Sequence, residues 1–169
     1  QRLSRGLGDV YKRQLLWISQ QHLSEMSVRD LMNEIYTLNP EWGDGLEWDY
    51  LKEVVKLIKD RSKTITEITS MSEIFFKDKL EYDIDLLNKT FNDKSIAIIK
   101  DFQSALSSIE DWSRVEIEKI FEDIMEQHEV AIGQVMKPVR VAISGISFGP
   151  GIFDLILLLG KEICQIRLR

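Results

Sequence analysis

From Leu15 onward, apolar residues recur at intervals of three and four far more often than at every second position, which is the spacing of helices. Leu51, Val54, Val55 and Ile58 predict a helix from about Trp48 to Arg61. Ile65 and Ile68, one turn apart, open a segment from Thr64 to Ser72 that carries Phe75 and Phe76 toward a core. Leu86, Leu87 and Phe91 mark a helix over Asp83 to Phe91, and Ile99, Phe102, Leu106 and Ile109 mark a longer one. Ser27 ahead of Asp30 is a cap signal, with Met26 and Leu31 at staple spacing; Ser113-Arg114-Val115-Glu116 has the form of a capping box, with Trp112 and Ile117 as its staple. Behind that box Ile117, Ile120, Phe121, Ile124 and Met125 form one apolar face. Val139, Val141 and Ile143 alternate like a strand, while Val135, Val139 and Ile143 fit a helix, and periodicity leaves the two open. Pro150 suits a first helical position, after which Ile152, Leu155, Ile156 and Leu159 face inward until Gly160 closes the helix. The sum is an all-α chain, with loops at Asn39-Pro40 and Gly43-Asp44-Gly45.

A chain of 169 residues accommodates one or two small domains. Two consecutive helical bundles are expected, over 15–100 and 101–169, with the break between Asn92 and Asp111. Residues 1–14 lack either periodicity and resemble translated linker sequence, so they are set aside from the fold. No apolar run approaches the roughly 20 residues of a membrane span, so no membrane partner is expected. The single cysteine, Cys164, cannot form an intramolecular disulfide and reads as a core-edge residue of a cytoplasmic protein. A monomer is the expected state.

The net charge of −6 matters less than its distribution. Residues 110–129 carry eight acids against Arg114 and Lys119, whereas 130–169 carry Lys137, Arg140, Lys161, Arg167 and Arg169 against Asp154 and Glu162. One acidic helix therefore masks a modestly basic C-terminal segment. Catalytic chemistry is not legible: no phosphate loop occurs, and neither His22 nor His128 has partners at metal-ligand spacing. His128 reads as a partly buried structural histidine.

Three linked pieces carry more than any of this. Gly133-Gln134-Val135-Met136-Lys137-Pro138-Val139-Arg140-Val141-Ala142-Ile143-Ser144-Gly145 is followed by Phe148-Gly149-Pro150-Gly151-Ile152-Phe153 and then by Leu157-Leu158-Leu159-Gly160-Lys161-Glu162. In order and spacing they resemble the C-terminal anticodon-binding region of bacterial-type glutamyl-tRNA synthetases, a class I aminoacyl-tRNA synthetase family. Leu15-Leu16-Trp17-Ile18-Ser19-Gln20-Gln21-His22-Leu23 resembles that family's segment leading out of the stem-contact region, with Ser19 in place of the usual Asn. Val55 to Ile65 resembles the segment carrying its anticodon-reading arginine.

The resemblance implies an anticodon-binding α-helical cage, the C-terminal fragment of a larger glutamate–tRNA ligase, with tRNA (its anticodon loop) as partner. It implies Arg61 beside the third anticodon base and Arg140 beside the first. Gly149, Pro150, Gly151, Ile152 and Phe153 are implied as the turn supporting splayed bases, with Lys137 and Lys161 as further RNA contacts. The family has Ser or Thr where Gly149 stands, so a hydroxyl contact is missing there. ATP and Mg²⁺ are implied for the parent enzyme, but the H-I-G-H-like and K-M-S-K-S-like adenylation motifs are absent, so this chain alone is not expected to be catalytic and holds no cofactor. Read as single residues, Arg61 is a cation at a helix end, Arg140 a salt-bridge partner, and Ile152 and Phe153 core. The alternatives are a stand-alone α-helical protein–protein interaction module and a non-enzymatic tRNA-binding accessory.

Overall fold

A computed structural model describes residues 6, 8–10 and 19–169. The segment 1–14 lies outside these residues except at 6 and 8–10, which are helical and exposed, and Leu15 to Ile18, Trp17 included, lie outside them too. Among the described residues every regular element is a helix. The chain divides into two compact units, Gln1–Phe76 and Lys77–Arg169.

In the first unit, residues 19–25 are helical and lead to α1 (Val28–Leu38), α2 (Trp48–Ile58) and α3 (Ile65–Ser72), with short 3₁₀ turns at Lys59–Arg61 and Glu73–Phe75. The Ser27 hydroxyl accepts from the Asp30 amide at 3.0 Å and the Thr64 hydroxyl from the Glu67 amide at 3.1 Å, so each helix begins where its cap residue stands. Leu31, Met32 and Ile35 of α1 pack on Leu51, Val54, Val55 and Ile58 of α2, all buried. Trp42 anchors the loop between these helices: it is buried, donates to the Ser72 hydroxyl at 2.8 Å, and meets Tyr36 and Phe76 edge-on.

The second unit holds α4 (Ile84–Thr90), α5 (Asp93–Ser108), α6 (Arg114–His128), α7 (Ile132–Ser144) and α8 (Ile152–Arg167). The last four touch one another in every pairing, and α4 packs on α7. Phe102, Phe121 and Phe153 form an edge-to-face series at 5.1 Å centroid spacing through the bundle. The acidic exposed face of α6 carries Glu122, Asp123 and Glu126. His128 sits 2.7 Å from the Asp101 carboxylate, a structural contact between α6 and α5.

The division between Phe76 and Lys77 differs from the expected break between Asn92 and Asp111. The reason is local: the Tyr82 hydroxyl donates to Ala142 O at 2.6 Å, and Arg167 donates to the carbonyls of Lys77 and Asp78. Residues 77–92 are thereby fastened to α7 and α8, and α5 buries Ile98, Phe102 and Leu106 in the same unit. Three local expectations also change. The open segment 139–143 is helix. α8 begins at Ile152 with Gly151 as its cap, so Pro150 precedes the helix instead of opening it. Gly160, at φ +81°, interrupts α8, which then resumes to Arg167.

Cys164 is fully buried rather than at the core edge, and that burial pushes its thiol up to about 12 against the opposing pull of Arg167. Since the thiolate is the reacting species, a maleimide at about pH 8 is expected to leave the native chain unlabelled and to label it after unfolding in urea. Labelling of the native chain at the rate of a free thiol would show that the helical turn after Gly160 opens.

Candidate functional site

The turn between α7 and α8 is built from the end of α7 outward. Gly145 ends that helix in the left-handed conformation, at φ +72°, with its amide bonded to Val141 O at 2.8 Å. The Ser144 hydroxyl donates to Arg140 O at 2.7 Å and accepts from the Ile146 amide at 3.3 Å, which folds the chain back over the helix. Arg140, half-buried on α7, reaches across and donates from Nη1 to Pro150 O at 2.7 Å. A guanidinium is thus held directly beneath the turn. Gly149 adopts φ +139°, where a side chain is strained, and a Cβ there would lie 3.8 Å from the Arg140 Nη1. The absent hydroxyl at this position therefore accompanies a backbone that favours glycine.

Phe148 stands on this turn with 68% of its surface exposed. Between Glu129 and Asp154 the only charged residues are Lys137 and Arg140. The turn therefore presents an exposed aromatic ring in a loop whose Pro150 carbonyl is held by a guanidinium, with no acid in its own segment.

The other residues singled out in the sequence lie elsewhere. Ile152 is buried in the bundle. Phe153 is half-buried, edge-on to Phe121, with the Arg114 guanidinium 5.4 Å from its ring centroid. Arg114 also pairs with Asp154 at 2.9 Å and Glu118 at 2.7 Å. The Asp154 carboxylate lies 3.0 Å from where a Gly151 Cβ would stand, so the N-terminus of α8 already has a negative charge beside it and is a poor place for a phosphate. Lys161 donates to Ile109 O at 2.6 Å and ties α8 to the end of α5. Lys137 is exposed on the first half of α7, away from the turn in sequence and lining a separate groove. Arg61 belongs to the other unit, where it is exposed at the end of the 3₁₀ turn after α2. Both of its neighbours, Asp60 and Ser62, line a cavity of about 430 Å³ shared with Gln20, Gln21, Ser24 and Lys59. Lys59 shapes that cavity by donating to the carbonyls of Ser24 and Met26.

Residues 23–169 match the model of a protein family described as the anticodon binding domain. The chain belongs to the anticodon-binding domain family. The domain is 31% identical to glutamate–tRNA ligase 2 of Caldicellulosiruptor saccharolyticus over 91% of its own length and 32% of that protein's. It is 30% identical to the glutamate–tRNA ligase of Flavobacterium johnsoniae over 86% of its length and 29% of that protein's. The crystal structure of a glutamate tRNA ligase from Elizabethkingia meningosepticum superposes with a TM-score of 0.77 at 24% identity, covering 90% of the domain and 30% of that chain, a likeness of fold. The domain thus spans about a third of the length of these relatives.

Two features of this anticodon-binding domain escaped the reading of its sequence. Phe148 lies within the linked motif without a role implied for it, although an aromatic residue in a run of Gly and Ser has little to pack against and is a signal in itself. The groove beside Lys137 has no sequence signal, because its walls come from three separate helices. Among the described residues no group of three His, Cys, Asp or Glu side chains could hold a metal ion, and no helix is long and apolar enough to cross a membrane.

Proposed function

We propose that this chain binds the anticodon loop of a glutamate tRNA as the anticodon-reading part of a glutamate–tRNA ligase, within cytoplasmic protein synthesis. The observation that carries the reading is the turn at 145–150: Arg140 anchored to Pro150 O, Phe148 exposed on the same turn, and no acid in the segment. Single-stranded loop bases are read by guanidinium hydrogen bonds and by stacking on aromatic rings, and this turn offers both. Membership of the anticodon-binding domain family and similarity to glutamate–tRNA ligases support it.

In this reading Arg140 hydrogen-bonds the first anticodon base, Phe148 stacks on an unpaired base, and Gly149 to Gly151 supply backbone groups. Arg61 reads the third base from the rim of its cavity in the other unit. Phe153 and Ile152 support the turn from inside the bundle rather than touching RNA. ATP and Mg²⁺ belong to the adenylation step of the parent enzyme; the donor set of the described residues does not fit a metal, and no chemical step is assigned to this chain.

The test is base discrimination. A guanidinium donates to a base carbonyl and a neighbouring phosphate at once, which a neutral amide does less well. Arg61→Gln is therefore expected to narrow the preference for the cognate stem-loop over third-base-altered ones by about tenfold, taking the worth of a bidentate base contact as the scale. Arg140→Ala is expected to act on the first base instead. Equal weakening of every anticodon by Arg61→Gln would make that residue a phosphate contact and remove it from base reading.

A further inference from the structure

The second unit carries a groove that the anticodon reading does not use. Lys89 in the last turn of α4, Lys94 in the first turn of α5 and Lys137 on α7 all line one open cavity of about 260 Å³. No acidic residue is part of its wall. The neighbouring acid Asp93 lies on the same turn as Lys94 but not in that wall.

Two further observations point to an anionic occupant. Thr90, also in the wall, is 8% exposed, and among the described residues its hydroxyl has no hydrogen-bond partner. Buried hydroxyls are ordinarily satisfied, so a lone one in a cavity wall marks a place for a ligand oxygen, reached by a turn of the threonine side chain. Secondly, the groove meets the N-termini of α5 and α7, at Asn92 and Ser95 on one side and Gly133 and Gln134 on the other. The first turns of helices carry positive potential, although the amides of Asn92 and Ser95 are already taken by their mutual capping box and that of Gln134 by Ala131 O. Lys94 works against the dipole of its own helix there, so helix stability does not account for it. At Gly133 a Cβ would meet nothing within 4 Å and the backbone does not require glycine, so the missing side chain leaves the groove open.

We propose that this groove binds a backbone phosphate of the same RNA whose anticodon loop the turn at 145–150 reads. The proposal rests on the RNA-binding reading above and adds to it a contact that is blind to sequence. Phosphate contacts fix register without carrying base information, so the groove sets how the loop is presented while Arg61 and Arg140 read its bases.

The experiment compares binding of an anticodon stem-loop to the full chain and to Lys89→Gln/Lys94→Gln across a salt series. Log K falls with log salt by about 0.7 for each single-strand phosphate neutralised. The double variant is expected to flatten that slope by roughly 0.7 units, as for one phosphate, and to lower low-salt affinity about tenfold. Cognate and base-altered loops should lose affinity equally. Gly133→Glu is a second arm: a carboxylate near a helix N-terminus favours folding, yet here it stands in the groove and should weaken RNA binding without lowering the melting temperature. If both variants keep the wild-type slope and affinity while anticodon discrimination persists, the groove assignment fails and the anticodon reading stands. Failure of the wild type to bind any stem-loop overturns both. Loss of free mononucleotide binding in the variants, with stem-loop binding unchanged, would make the groove a nucleotide site and overturn the RNA assignment.

Discussion

Arg167→Met is expected to destabilise the C-terminal unit by about 3 kcal/mol, because it leaves one buried carbonyl oxygen without its donor, at roughly 1–3 kcal/mol, and removes the bonds to two part-buried ones. Arg167 lies near the end of α8 with only 9% of its surface exposed. Its guanidinium donates to Ile143 O at 2.6 Å, to Asp78 O at 3.4 Å and to Lys77 O. Two segments distant in sequence therefore converge on one side chain. Methionine keeps a long flexible stem and fills much of the space, so the loss isolates the hydrogen bonds. For a unit of this size about 1 kcal/mol corresponds to some 4–8 °C, so calorimetry should show its transition falling by roughly 15 °C. Arg167→Lys retains the charge but not the planar fork, and should recover only part of the loss. A shift under about 3 °C would mean that water replaces the guanidinium at little cost. The consequence reaches the site, since Ile143 O lies at the end of α7 immediately before the turn that Arg140 holds.

This residue also shows where sequence reading stops. Arg167 counts there as one more cation of a basic C-terminal segment, and its burial depends on carbonyls 89 and 90 residues away. No local pattern encodes such a partner. The amphipathic helices were legible for the opposite reason: α2, α3 and α6 each bury one stripe, and their apolar spacing, with the caps of α3 and α6, is a local fact. The segment 139–143 was ambiguous because α7 touches α4, α5, α6 and α8, so that Val139, Val141, Ala142 and Ile143 are all buried. A helix apolar on most sides loses its periodicity, and Pro138 within it reads as a breaker.

The site was legible in outline through the linked motifs, and its internal division of labour was not. Spacing along α8 puts Ile152 and Phe153 together with Gly149 and Pro150, but only packing separates the aromatic ring that is held inside the bundle from the one that faces solvent. Phe153 has Phe121 and Arg114 against it. Lys161 likewise looks like a free cation until its bond to Ile109 O is seen.

Phe148→Ala then separates stacking from base reading. Every base has a π-face, so an aromatic platform contributes about 1–3 kcal/mol per base with little regard to identity. The substitution is expected to lower stem-loop affinity by roughly 5- to 150-fold on that scale. It should leave the ratio between cognate and base-altered loops unchanged, in contrast to Arg61→Gln. Phe148 is 68% exposed, so melting should be unaffected and the loss cannot be charged to unfolding. Phe148→Tyr keeps the ring and should bind like the parent chain. The stacked base can be located by abasic substitution along the loop, because at one position the base deletion and Phe148→Ala should cease to add, as expected when two changes remove the same contact. Additive losses at every loop position, or an affinity for Phe148→Ala within twofold of wild type, would remove the ring from the RNA and leave Arg140 alone at this turn.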